Sequence, residues 1–278
     1  MNYLDLTIKE IHQALVEKKT TPLELTLEAI KRAKNDTNNA FEYICEKEAI
    51  EFAKTLTDVE TDNYLWGIPY VLKDNFSTKG IPTTGSSNIL NGYIPVYDST
   101  VYKKLTESKA ILIAKGTLDE LAMGGTGTTG HKGTTFNPYD STKTRLCGGS
   151  SCGSAASVSS SIVPFSIGSD TGDSVRKPAS FVGLVGLKPT WGRISRFGLF
   201  PFAPSLDHVG FFTRSIEDSA IVLSVLAGRD DLDSTSSLVP VDDYVANLHT
   251  ENTKKWRIAV INQIINSISS KKILETFH

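Results

Sequence analysis

Cysteine is scarce in this chain: Cys45, Cys147 and Cys152 are too few, and odd in number, for a disulfide framework. They suit a reducing compartment, and the expectation is a cytoplasmic protein. No apolar run approaches the roughly 18 residues of a membrane-crossing helix. Asp5, Lys9 and Glu10 interrupt the start of the chain, where a signal peptide would have an apolar core. Histidine is also sparse. His12, His131, His208, His249 and His278 form no i, i+3 or i, i+4 pair, and Cys147-x4-Cys152 is not a zinc spacing, so no metal site is expected. No G-x-S-x-G elbow is present. Nothing else supports a Ser-His-Asp triad through His208, which reads as a hydrogen-bonded surface or loop histidine. Net charge is only −2, too weak a field to grip nucleic acid alone.

What is present is enough apolar side chain, 40% of residues, to bury a sizeable core. The first 60 residues read as helices. Thr7 and Glu10 have capping-box spacing, and Thr21-Pro22-Leu23-Glu24 repeats it with proline at the first helical position. Leu23, Leu27, Ile30 and Lys34 then keep a 3.6-residue period, which predicts an apolar face there. A third helix is expected over 46–56.

From Trp66 the texture changes to alternating strand and helix. Ile68 to Leu72 predicts a buried strand that feeds the polar Lys73-Asp74-Asn75. Ser99 caps a helix through Leu105, Ile111 to Ala114 is a strand, and Thr117 starts another helix. Phe181 to Leu187 and Arg193 to Phe202 read as strands and turns, and Ser215 caps a helix over 216–227. Residues 228–255 read as an exposed connection, Trp256 to Ile261 as a strand, and a helical pattern begins near Lys271. The alternation predicts an α/β class: a mixed central sheet covered by helices on both faces.

Between Gly124 and Ser154, 19 of 31 residues are Gly, Ser or Thr. A flexible linker can look like this, but the Asn137-Pro138-Tyr139-Asp140 turn inside it predicts backbone packed closely against something. Gly125-Thr126-Gly127-Thr128-Thr129-Gly130 satisfies G-x-G-x-x-G. That motif binds a dinucleotide only when a strand precedes it and a helix follows. Here a helical stretch (118–123) precedes it, Gly133 and Pro138 block a following helix, and His131 stands where a phosphate loop needs lysine. Both nucleotide readings are rejected.

Three segments remain: Val71-Leu72-Lys73-Asp74-Asn75, Cys147-Gly148-Gly149-Ser150-Ser151-Cys152-Gly153-Ser154, and Gly168-Ser169-Asp170-Thr171-Gly172-Asp173-Ser174-Val175-Arg176. Together they closely resemble the amidase signature family, from the N-terminal helices to at least Asp233. The resemblance implies Ser174 as nucleophile, Ser150 as the serine between nucleophile and base, preceded by a cis peptide, and Lys73 as base. It also implies an oxyanion hole from the backbone of Thr171, Gly172, Asp173 and Ser174, with Asp170 and Arg176 in support. The chemistry fits these residue types. A serine hydroxyl needs a neighbour to take its proton, and lysine serves as base only when neutral, which burial promotes.

Residues 186–199, Pro204 to Asp207 and Asp233 to Thr235 carry a narrower likeness, to the glutamine-hydrolysing members that serve multi-subunit tRNA amidotransferases. It implies release of ammonia from glutamine for conversion of Glu-tRNA(Gln) to Gln-tRNA(Gln), with no cofactor in this chain. ATP and Mg²⁺ would sit on a B subunit, and the second partner would be a small C subunit. The whole chain, 1–278, is then expected as a single amidase-like domain: helices over 1–60, the signature core over 66–215, the connection over 228–255, and the start of an incomplete C-terminal part over 256–278. Family members are expected to continue beyond His278, with strands and much of the glutamine pocket there. A free-standing amidase for small amides and a non-catalytic scaffold are the alternatives. Two departures stand out: Asp173 replaces a usual glycine and Cys152 another. Arg176 or Lys177 is expected to pair with Asp173, and Cys152 offers a second candidate nucleophile.

Overall fold

Both capping boxes start the helices expected of them in the computed structural model, which describes residues 2–248, 255 and 257–278. In α1 (Ile8–Val16) the Thr7 hydroxyl accepts from Glu10 N–H, and the Glu10 carboxylate accepts from Thr7 N–H. In α2 (Pro22–Lys34) Thr21 and Glu24 do the same. The buried face of α2 is Leu25, Ala29, Ile30 and Ala33, not the Leu23–Leu27 row, and Leu27 is exposed. Small side chains let α2 lie close to α3 (Glu46–Thr55), which turns Ala49 and Ala53 inward.

Between α2 and α3 the chain departs from an all-helical start. Phe41–Ile44 forms β1, antiparallel to β3 (Ile111–Gly116). Its half-buried aromatic and branched side chains favour an edge strand over a helix. The sheet order is β1-β3-β2-β4-β6-β5, with β2 (Pro69–Lys73), β4 (Phe165–Asp170), β5 (Val185–Leu187) and β6 (His208–Thr213). Strands β3, β2 and β4 run parallel, and β1, β6 and β5 are antiparallel to their neighbours. Every residue of the three parallel strands is buried, so both faces of the sheet centre are covered. α4 (Thr100–Glu107), capped by Ser99, leads into β3. α5 (Cys152–Ser159) packs against β2, β3 and β4, and α7 (Ile216–Leu226), capped by Ser215, against β6 and β5. α6 (Arg176–Phe181) packs against β5.

The register places the carboxyl ends of the parallel strands together. Lys73 lies opposite Gly116, Leu72 opposite Ile167, and Asp170 ends β4. Ligand-binding crevices in α/β sheets lie at such edges.

Several expectations give way. The helix expected from Thr117 is one 3₁₀ turn, Glu120–Ala122, because Leu121 and Ala122 have φ of 51° and 65°, outside the right-handed helical region. Asp119 turns its carboxylate into the following loop instead of starting a helix. Residues 193–202 are a loop held by isolated bridges, Phe76 to Leu199 and Ile194 to Ala227. Strand β6 follows at His208, where no strand was expected. The stretch from Gly228 is tied inward at its start: the Asp230 carboxylate accepts from Ser195 and Thr100 hydroxyls, and Asp233 accepts from Arg196 N–H at 2.8 Å. α8 (Tyr244–Asn247) closes this part.

The chain divides into two compact units, 1–248 and 249–278. In the second, residues 257–261 form no strand; Trp256 lies outside the described residues. A strand needs a paired neighbour, and none is paired with these residues among those described. Two short helices follow, α9 (Asn262–Ser267) and α10 (Lys271–Phe277).

Candidate active site

Lys73 is the last residue of β2, and nothing of it is exposed. The apolar strand before it carries the ammonium into the fold, where its Nζ lies 2.7 Å from the Ser150 hydroxyl and 2.9 Å from that of Ser169. Burial lowers the Lys73 pKa to about 7, partly opposed by Cys152, Asp119, Asp170 and Asp207. Asn75 donates its side-chain amide to Ser169 Oγ at 3.0 Å, so Ser169 is fixed from two sides.

Ser150 follows a cis peptide from Gly149. Its neighbour Ser151 is bound to β4: the Ser151 hydroxyl donates to Ser169 C=O at 3.1 Å and accepts from Ser169 N–H at 3.3 Å. Ser151 N–H donates to the carbonyl of Ser174 at 3.3 Å, which brings the two serine segments together. The small residues of this region are there for close packing. A Cβ on Gly153 would stand 2.2 Å from the Ala40 carbonyl oxygen and 2.4 Å from Thr117 N.

Ser174 lies in the turn between β4 and α6, nearly buried. Its hydroxyl has no hydrogen-bond partner among the described residues, so Lys73 and Ser150 are joined directly while Ser174 is joined to them through backbone. The turn is braced by Asp170. One carboxylate oxygen accepts from Val175 N–H at 2.9 Å and Arg176 N–H at 3.2 Å, and the other from the Arg176 guanidinium at 2.9 Å. Burial alone would raise the Asp170 pKa, but these bonds hold it below the ordinary carboxylate value. Arg176 also donates to the Gly172 carbonyl, and the Thr171 hydroxyl donates to Asp207 at 2.6 Å. Backbone N–H groups of Thr171, Gly172, Asp173 and Ser174 have no acceptor among the described residues. A turn fixed in this way presents a row of free donors.

Asp173 pairs with Lys177 at 2.6 Å, while Arg176 is committed to Asp170. Cys152 is fully buried, and burial pushes its thiol pKa up, the reverse of what a nucleophilic thiol needs. His208 opens β6 opposite Asp170, with Nδ1 2.6 Å from the Leu206 carbonyl; it bonds to neither Ser150 nor Ser174. Ser169, Ser151 and Asn75 bond within this cluster and Asp119 acts on Lys73 through its charge, placements that residue-by-residue reading did not foresee. Ser169 and Asn75 were visible inside the two motifs, but only the fold shows that they meet. Among the described residues, no group of three or more His, Cys, Asp or Glu side chains is arranged to hold a metal ion, and no helix is long and apolar enough to cross a membrane.

The fold thus sets a buried lysine at hydrogen-bond distance from Ser150, beside a donor-rich turn that holds Ser174. The chain matches the amidase family over residues 23–278 and belongs to it. It is similar to the A subunit of the Oenococcus oeni glutamyl-tRNA(Gln) amidotransferase, 43% identical over 93% of this chain and 53% of that protein. The crystal structure of the A subunit of the Thermotoga maritima glutamyl-tRNA(Gln) amidotransferase superposes with a TM-score of 0.77 at 41% identity, covering 87% of this chain and 51% of the other. A 6-aminohexanoate cyclic dimer hydrolase complexed with substrate gives a TM-score of 0.82 at 26% identity, covering 90% and 52%. The chain thus spans about half the length of the relatives it matches.

Proposed function

We propose that this chain hydrolyses the side-chain amide of glutamine and releases ammonia for conversion of Glu-tRNA(Gln) to Gln-tRNA(Gln). The observation that carries the reading is the 2.7 Å contact between a fully buried Lys73 and Ser150. A lysine whose pKa lies near 7 is substantially neutral at physiological pH and able to accept a proton.

In the proposed sequence Ser174 Oγ attacks the amide carbon while its proton passes to Ser150 Oγ, and the Ser150 proton passes to Lys73 Nζ. Negative charge that develops on the carbonyl oxygen meets the free N–H groups of 171–174. A Cβ at Gly172 would touch no protein atom, which leaves that side of the turn open to a substrate carbonyl. Collapse breaks the C–N bond, and Lys73 returns the proton through Ser150 to the leaving nitrogen, giving ammonia and a γ-glutamyl–Ser174 ester. Water then attacks the ester, its proton following the same path to Lys73, and glutamate leaves as Ser174 is reprotonated.

The 41–43% identity to the A subunits of named amidotransferases supports glutamine as substrate. We assign the ATP- and Mg²⁺-dependent activation of Glu-tRNA(Gln) to a B subunit, name a C subunit the second partner, and place the complex in the cytoplasm. Residues 1–278 are proposed as part of one amidase-like domain. The test is transamidation of Glu-tRNA(Gln) by the chain with B and C subunits, glutamine against ammonium as donor. Use of glutamine, abolished by Ser174→Ala while ammonium still serves, supports the proposal. Use of ammonium alone by the unaltered chain overturns it and leaves a scaffold.

A further inference from the structure

We infer that Asp119 is a positioning residue for the proposed reaction: its carboxylate gathers the 126–129 loop into a backstop for Ser150 and sets a negative charge beside the lysine base. The inference rests on the catalytic reading above. Asp119 is fully buried. One oxygen accepts from the N–H groups of Gly127 at 3.0 Å, Thr128 at 2.9 Å and Thr129 at 3.2 Å, and from the Thr129 hydroxyl at 3.0 Å. The other accepts from Thr126 N–H at 3.1 Å and Gly127 N–H at 2.9 Å. Consecutive N–H groups converging in this way form an anion nest. Its occupant here is the chain's own carboxylate, which accounts for the G-x-G-x-x-G string without any nucleotide.

Two backbone hydrogen bonds join this assembly to the middle serine. Asp119 N–H donates to the Ser150 carbonyl at 3.1 Å, and Gly149 N–H donates to the Gly125 carbonyl at 3.1 Å. The fit is close: a Cβ on Gly149 would stand 2.0 Å from an Asp119 carboxylate oxygen, and one on Gly124 would stand 2.5 Å from the carboxylate carbon. Ser150 therefore meets Lys73 on one side and is held by the Asp119 assembly on the other.

The groups acting on Lys73 are Cys152 from α5, Asp119, Asp170 at the end of β4, and Asp207 before β6. The adjoining Asp74 is paired with Lys115. Asp170 is paired with Arg176, and Asp207 accepts from the Thr171 hydroxyl and from Phe202 and Ala203 N–H. The Asp119 carboxylate, among the described residues, is met only by neutral N–H and O–H donors, with no cation paired to its charge. Removing that charge makes it harder to protonate Lys73, so the base stays neutral to lower pH.

The test is the rate of covalent labelling of Ser174 by a fluorophosphonate on the full chain, followed against pH. The Ser174 oxygen–phosphorus bond forms, fluoride leaves, and the proton passes to the base. Asp119→Asn is expected to label about 10-fold more slowly at the plateau and to move the half-maximal pH downward. A slower rate with an unmoved midpoint overturns the inference, because loop damage alone scales the rate at every pH. Thr129→Val removes one donor from the carboxylate and leaves its charge less compensated, so its midpoint should move upward. It serves if Asp119→Asn does not fold, and an unmoved midpoint in Thr129→Val is then equally decisive. Unaltered chain that shows no Ser174-dependent labelling overturns the catalytic reading itself; normal labelling with unmoved variants overturns the Asp119 role alone.

Discussion

The Lys73 nitrogen and the Ser150 hydroxyl lie 2.7 Å apart with both residues wholly buried. Neither side chain is exposed to bulk solvent, so the proton state of one is read directly by the other. Ser169, 2.9 Å from the same nitrogen, fixes the direction of the amine. The proposed base must be neutral to act, and the Lys73 pKa is held at about 7 by burial. Acylation of Ser174 should therefore rise as pH increases through about 7 and level off above it. Lys73→Met should abolish that limb and lower the rate on the order of 10²–10⁴-fold.

The same group predicts a stability profile. In the unfolded chain Lys73 keeps its proton up to about pH 10.4, and in the folded chain it loses it near 7. Between these values the unfolded state binds more protons, so stability contributed by this site should rise with pH from about 7 to about 10. Denaturant titrations of the chain and of Lys73→Met at several pH values would check it. A variant that keeps the full slope would show that the lysine is not its source.

Asp173 places a carboxylate one residue before the proposed nucleophile, and Lys177 neutralises it at 2.6 Å on the exposed side. Asp173→Gly is expected to keep or raise acylation, and Lys177→Ala to lower it by up to about 5-fold, since an exposed pair is worth roughly 0.2–1 kcal/mol. In the double variant the loss should disappear, because no carboxylate is left to repel the oxyanion. Collapse of activity in Asp173→Gly alone would mean the carboxylate takes part in the site.

The sheet centre and the meeting of Lys73 with the two serine segments were legible because local signals and long-range packing agree there. Ile68 to Leu72 is apolar on both faces, and only a buried strand accommodates that. Lys73 and the two serine segments carry their chemistry in short motifs. Residues 118–123 misled because Leu118, Leu121 and Ala122 mimic a helical face, while the Asp119 side chain is claimed by N–H groups seven to ten residues later. β6 was hidden because its antiparallel pairing with β4 spans some forty residues and leaves little periodicity in a strand covered along most of its length. Leu25 rather than Leu27 faces inward on α2 because the close approach of α3, not hydrophobicity alone, selects the face.

Cys152 sits two residues after Ser150, and burial raises its pKa. Iodoacetamide should leave it unmodified in the native chain and alkylate it after denaturation. Cys152→Ser should retain Ser174 labelling within about 5-fold, the change being one of packing next to Thr117. Rapid native alkylation at Cys152, read by mass spectrometry, would contradict the burial that argues against it as nucleophile.

On the neighbouring strand β3, opposite Leu72, lies a second fully buried lysine, Lys115. The three N–H donors of Lys115 are all spent, on the Phe76 carbonyl at 3.0 Å, Thr78 Oγ at 3.0 Å and Thr83 Oγ at 2.8 Å. Its charge is balanced by Asp74 at 3.1 Å, an ion pair without a well-directed hydrogen bond from the ammonium. Asp74 is held in turn by the N–H and hydroxyl of Thr84, at 2.7 and 2.8 Å. Burial raises the Asp74 pKa, and Lys115 opposes that rise. Lys115→Met leaves the carboxylate buried without its counter-charge and the Thr78, Thr83 and Phe76 oxygens without a donor. Loss of one partner of a buried pair costs about 3–5 kcal/mol, a drop that thermal or urea unfolding would register. Asp74→Asn in the same chain removes the stranded charge while its amide oxygen still accepts from Thr84, so part of the loss should return. If the single and double variants are equally unstable, the lost donors, not the stranded charge, account for the effect.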